Sequence, residues 1–168
     1  MRFGRTSNPK IMKRILPILV LVAILNTSCL NDNSCKNCIS SPLAFAFTLL
    51  PSEDGMSMIN DTTFVPDSIK LYYLKNNVKE PVTFVFGGSS YFGNYIYTVD
   101  ISKVSAGDSI KVFYLYLSHT DTDTIYFDCN IVNDGCCSYY SYDSLSYNGK
   151  SMPYSSTYGI NYAIKARP

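Results

Sequence analysis

The chain has no Trp, a single His and few charges of either sign, 16% of 168 residues, with a formal net charge of +1. Each scarcity excludes something. Without Trp there is no indole platform on which a sugar would stack. The lone His119 sits in Ser118-His119-Thr120-Asp121-Thr122-Asp123 with no second imidazole beside it, and no Gly-x-Ser-x-Gly elbow presents a nucleophile to it. Long apolar runs are missing too: the longest near the amino terminus, Ile15 to Leu25, would span about 16 Å as a helix, half of a hydrocarbon core. A permanent transmembrane helix is therefore not expected. Basic residues are absent where nucleic acid would need them. Residues 1–28 hold five basic and no acidic side chains, which leaves residues 29–168 with net charge −4 and no basic stripe to neutralise phosphates.

What is present at the amino terminus has an order. Lys10, Lys13 and Arg14 precede the apolar run, and Asn26-Thr27-Ser28-Cys29 follows it. Basic, apolar, then small is the arrangement of an export signal. Thr27 and Ser28 directly before a Cys resemble the lipobox of bacterial lipoproteins, in which the Cys is diacylglycerated and the signal is cleaved before it. Asn26 departs from the usual Leu, Val or Ile at that position. Lipidation of Cys29, as diacylglycerol and palmitate, is the expectation, because two or three acyl chains hold a protein to a membrane where one is marginal. The alternative is a secreted, unlipidated chain whose Cys29 joins a disulfide. Residues 1–28 are then signal, 29–41 a polar tether and 42–168 one domain.

Six cysteines in an exported chain point to disulfides, with Cys35, Cys38, Cys129, Cys136 and Cys137 as candidates once Cys29 carries lipid. Five is odd, so one thiol stays free or pairs between molecules. A link from Cys35/Cys38 to the later group would close a loop of about 95 residues and contribute on the order of 4 kcal/mol. Cys35-Lys36-Asn37-Cys38 also has redox spacing, but Pro42 and the strand-like run after it supply no helix to lower a thiol pKa. Adjacent Cys136 and Cys137 are poorly placed to share one zinc tetrahedron with Cys35 and Cys38. No cofactor and no metal are expected. Asp121, Asp123 and Asp128 miss the calcium-loop spacing, and Gly87 to Gly93 lacks the Lys of a phosphate loop.

From residue 42 onward apolar residues alternate rather than recur at helical spacing, and β-branched and aromatic types are abundant. The pattern predicts an all-β, antiparallel two-sheet sandwich, Ig-like or transthyretin-like. Expected strands are 43–50, 68–75, 82–86, 94–101, 109–117, 123–132, 138–147 and 158–166. Turns are expected at 51–55, 75–77, 87–90, 105–108 and 133–135. In 109–117 both faces are apolar, which marks a central strand. Asp67 to Leu74 recurs as Asp108 to Leu115, and Asp-Ser/Thr-apolar openings return at Asp123 and Asp143. Local turn chemistry accounts for such triplets. The same triplets, with Asp61-Thr62-Thr63 as a fifth, resemble the O-glycosylation motif of Bacteroidota periplasmic proteins, which would place glycans at Thr62, Ser68, Ser109, Thr124 or Ser144.

The signal with Cys29, the Cys35/Cys38 pair before Pro42-Leu43-Ala44-Phe45-Ala46-Phe47, the Asp123-Thr124-Ile125 strand and the Cys136-Cys137 pair resemble small lipoproteins of the Bacteroidota. The resemblance implies an envelope location, at the outer membrane and on its periplasmic face, and transfers no catalytic residue. A non-enzymatic binding, adhesion or structural accessory module is expected, with a protein or glycan partner held by a Tyr-rich surface. Fifteen Tyr supply it, among them Tyr139, Tyr140 and Tyr142. The other class to weigh is a thiol-disulfide or hydrolytic enzyme, which requires polar groups converging on His119 or on Cys35/Cys38.

Overall fold

Alternating sequence becomes alternating burial. The computed structural model describes residues 41–53, 55–60, 62–134, 137–156 and 159–166. Their elements run β1 (Phe45–Leu50), β2 (Lys70–Lys75), β3 (Val78–Pro81), β4 (Val85–Ser89), β5 (Gly93–Thr98), helix α1 (Asp100–Asp108), β6 (Val112–Ser118), β7 (Asp121–Asp134), β8 (Cys137–Tyr147), β9 (Lys150–Ser151), β10 (Tyr154–Ser155) and β11 (Ile160–Ile164). A five-stranded sheet, β10-β11-β1-β5-β4, and a six-stranded sheet, β3-β2-β6-β7-β8-β9, form the two-sheet sandwich expected of this pattern. Among the described residues all strand pairs are antiparallel except β1 with β11, and β11 lies between β10 and β1.

The core lies between the sheets. Phe45, Phe47 and Leu49 of β1 and Ile96 of β5 meet Leu71, Phe113, Leu115, Ile125 and Phe127 in one cluster, with the Phe45 and Phe127 rings 5.2 Å apart. β6 is interior to its sheet, as its two apolar faces required, and buries Phe113, Leu115 and Leu117. Two tight turns are set by residues that tolerate the left-handed region. Asn76-Asn77 joins β2 to β3, and Asn148-Gly149 joins β8 to β9, all four at positive φ, as two-residue hairpins demand.

Four expectations need correction. Residues 100–108 form a helix, not a strand end followed by a turn. Its buried face is Ile101, Ser102 and Ser105, so apolar periodicity is faint, and small side chains let the helix settle closely on β7. Secondly, Gly87, Gly88 and Ser89 belong to β4, because the Tyr95 ring lies across Gly87 where a side chain would stand. Thirdly, β3 and the two-residue β9 and β10 add to the expected eight strands. Lastly, the repeated segments form neighbouring antiparallel strands, β2 and β6, with opposite faces inward. Leu71 is buried while its counterpart Val112 is 41% exposed, and Phe113 is buried while its counterpart Tyr72 faces out.

Ser105 holds the helix to the sheet. Its hydroxyl donates to the Phe127 carbonyl at 2.9 Å and accepts from the Cys129 amide at 2.9 Å, at the place where β7 and β8 shift register. The β6 ladder ends at Val112 opposite Tyr126, so the Phe127 carbonyl and the Cys129 amide have no β6 partner, and one buried hydroxyl satisfies both. Ser105→Ala strands a buried donor and a buried acceptor, so a loss of about 1–3 kcal/mol in urea unfolding is expected. An unchanged unfolding midpoint would show that the tie contributes nothing.

Candidate functional site

Along β7 the inward positions read Asp123, Ile125, Phe127 and Cys129, so a carboxylate occupies a place in an otherwise apolar row. Such a carboxylate needs partners. Its Oδ2 accepts from the Lys165 ammonium at 2.6 Å and from the Tyr147 hydroxyl, and its Oδ1 accepts from Asn148 Nδ2 at 2.7 Å. Lys165 also donates to Asp121 at 3.0 Å and lies 5.7 Å above the Phe64 ring. The Asn148-Gly149 hairpin makes this possible: its turn brings the Asn148 amide over β7, where Oδ1 accepts the Thr124 N–H at 2.8 Å while Nδ2 reaches Asp123.

Burial pushes the Asp123 carboxyl up, but donation from Lys165, Tyr147 and Asn148 outweighs it and holds the group below the usual carboxylate range. Burial likewise pulls the Lys165 ammonium down, and its bonds to Asp123 and Asp121 carry it above its ordinary value. Tyr147 is raised far beyond the phenol range by burial and by its bond to Asp123, so it stays a donor. A cleft of about 360 Å³ opens beside the cluster between Tyr147, Asn148 and Lys165. Both Asp123 oxygens already accept hydrogen bonds, three in all from side chains of the protein itself. The cluster is a polar tie: Lys165 follows β11 of one sheet, and Asp123 and Tyr147 belong to the other.

The residues singled out by sequence fall in different places. Cys29, Cys35, Cys38 and Cys136 lie outside the described residues. Cys137 is disulfide-bonded. Cys129 departs from the disulfide expectation: it is a free thiol, 0% exposed, within the core, because its position continues the inward row of β7. Burial raises its pKa, the opposite of what a reactive thiol requires. His119 is exposed in the turn between β6 and β7. Asp128 pairs with Lys111 at 2.7 Å and Asp121 with Lys165, so the acidic residues of this region are matched by lysines. No group of three metal-ligating side chains occurs among the described residues.

Thr62, Ser68, Ser109, Thr124 and Ser144 are all exposed. Turn chemistry explains Ser68, whose hydroxyl donates to the Val65 carbonyl at 2.8 Å beside the Pro66–Ser68 turn. It does not explain Asp123 or Asp143, which stand within strands.

Exposed Tyr residues occur at several places on the described residues, Tyr91, Tyr97 and Tyr154 among them. Tyr139 and Tyr142 are exposed on β8. Another set covers the outer face of the six-stranded sheet. Tyr72 stacks on its cross-strand partner Tyr114 at 5.3 Å, Lys79 lies 4.9 Å over the Tyr72 ring, and Lys70 lies 5.9 Å over Tyr116. The outward phase of β2 and β6 produces this: Lys70 and Tyr72 face Tyr116 and Tyr114 across the ladder. Lys70, Tyr72, Lys79, Phe84 and Tyr116 line a groove of about 520 Å³. Among the described residues neither Lys70 nor Lys79 forms an ion pair, whereas Lys75, Lys103, Lys111 and Lys165 all do. Sequence reasoning missed both Lys70 and Lys79. Their signal was available in part, since Lys70 alternates with Tyr72, but Lys79 belongs to a strand that composition did not announce.

Comparison of the chain with known protein families, curated proteins and solved structures finds no match.

Proposed function

We propose that this chain is a lipid-anchored cell-envelope protein that acts by binding, and that its ligand is a carboxylate-bearing polysaccharide held at the Lys70/Lys79 groove. The anchor is supported by the basic, apolar and small segments before Cys29, and by cysteine parity. With Cys129 free, five cysteines are left, an odd number. Acylation of Cys29 leaves Cys35, Cys38, Cys136 and Cys137, enough for two disulfides. The outer membrane, on its periplasmic face, is the location that follows from the lipoprotein reading.

One observation carries the binding reading: two ammoniums without carboxylate partners among the described residues rim an aromatic-walled groove, on a body whose net charge is negative. The lysines lie over Tyr rings, so part of their rotamer freedom is already given up before a ligand arrives. Ring faces are taken by the lysines and by the Tyr72–Tyr114 stack. Recognition therefore falls to ammonium groups and Tyr hydroxyls at the groove edge.

The test is affinity electrophoresis of the full chain through gels containing polygalacturonate or neutral dextran. Retardation by polygalacturonate alone is expected, weakening with salt. Lys70→Glu/Lys79→Glu is expected to weaken it about tenfold, or about 1.4 kcal/mol. Equal retardation by both polymers, or none by either, would overturn the assignment.

A further inference from the structure

Among the described residues four strands form the edges of the two sheets: β10 and β4 in one, β3 and β9 in the other. An edge strand presents unpaired backbone groups, and proteins guard such edges with charge, Pro, bulges or brevity. Three edges here are guarded. β3 carries Lys79, Glu80 and Pro81, while β9 and β10 are two residues each and β9 includes a Lys. β4, Val85-Phe86-Gly87-Gly88-Ser89, has none of these devices. It pairs with β5 through five consecutive residue pairs without a bulge, and no charged residue occurs between Glu80 and Asp100. Its side chains are open to solvent, with Val85 58% and Phe86 37% exposed.

We infer that β4 is a strand-addition edge whose occupant is β4 of a second copy of this chain. The sequence of the strand is complementary to itself. An antiparallel two-fold pairing centred on Gly87 sets Phe86 opposite Gly88 and Val85 opposite Ser89. Large meets small at each pair. The space needed is present: a Cβ built at Gly88 meets nothing nearer than Asn94 Oδ1 at 4.0 Å. Phe86 and Gly88 share the inner face of the sheet with Ile96 and Asn94, so the partner's ring would lie over Gly88 on the side where apolar surface is already concentrated. On the opposite face Tyr95 fills the position over Gly87, and Val85 and Tyr97 add exposed apolar surface. Like charges never oppose one another, because the segment has none. The two five-stranded sheets would become one ten-stranded sheet across the two-fold.

Sedimentation of the detergent-solubilised full chain tests this together with cross-linking that reads the register. The wild type is expected to sediment as a dimer. Gly88→Lys, which puts a charge in the space reserved for the partner's Phe86, is expected to halve the sedimenting mass with an unchanged circular dichroism spectrum. Val85→Cys/Ser89→Cys is expected to give a reducible cross-linked dimer under oxidation, because opposed strand positions lie within disulfide reach. Val85→Cys alone and Ser89→Cys alone are expected to give no such dimer, since each new thiol then faces the other position. A monomeric wild type, a dimer indifferent to Gly88→Lys, or single-Cys variants that cross-link as well as the double variant would each overturn the inference. If Gly88→Lys loses its native spectrum, the cross-linking result decides alone.

Discussion

Asp123→Ala is expected to cost about 3–5 kcal/mol of folding stability, the largest effect of any single polar substitution in the described residues. Removing the carboxylate leaves the Tyr147 hydroxyl and the Asn148 amide without their acceptor and takes from Lys165 its shorter ion pair, at 2.6 Å. Lys165 keeps Asp121, so Asp121→Ala by itself is expected to cost about 1 kcal/mol or less. Urea unfolding of both variants separates these values. Equal midpoints for Asp123→Ala and wild type would mean that the tie is not a stabilising element.

The same cluster sets a pH dependence. The Asp123 carboxyl is depressed in the folded state, so its contribution is present above the unfolded value of about 3.9 and is lost as pH falls through the lower folded value. Lys165 is raised, so its contribution is present below about 10.4 and is lost as pH climbs through the higher folded value. Between those limits the tie is at full strength. Asp123→Asn is expected to flatten the acid limb of the stability profile while lowering the neutral plateau.

Cys29→Ser is expected to move the protein from the membrane fraction to the soluble fraction and to abolish palmitate incorporation. A nearly complete effect is expected, because the proposed anchor places all its acyl chains on that one residue and stable anchoring takes two or three. Among the described residues no helix is long and apolar enough to cross a membrane. Membrane retention of Cys29→Ser, or a wild-type protein that takes up no palmitate, would overturn the lipoprotein reading. Intact mass before and after alkylation gives the thiol count at the same time, with one free thiol, Cys129, expected.

Most strands could be read from residues because alternation with β-branched and aromatic side chains has one cheap solution, a sheet with two distinct faces. β7 follows that rule over Asp123 to Cys129, and β6 buries every second residue although both its faces are apolar. α1 escaped because its buried face is made of Ser102, Ser105 and Ile101, small residues chosen by how closely the helix approaches β7. The candidate site was half legible. Asp123 was visible as an acidic residue in a strand, and its position in phase with Ile125 and Phe127 is the signal that it is buried. Nothing near Lys165 in sequence announces its partner 42 residues away.

The near-repeat separates the two levels most clearly. Asp67 to Leu74 and Asp108 to Leu115 share a pattern that is apolar or aromatic in both phases, and sequence alone establishes that each is a strand. Which phase points inward is decided when the strands pair as Leu71 with Leu115 and Tyr72 with Tyr114, and a shift of one residue would exchange the buried and exposed sets. Composition and alternation determined an all-β sandwich, and the proposed export and lipid signal rests on the amino-terminal residues alone. Tertiary packing decided the rest: which Tyr face solvent, which lysines are left without a carboxylate, and which edge is unguarded. These depend on contacts between residues distant in the chain, and local preference does not encode them.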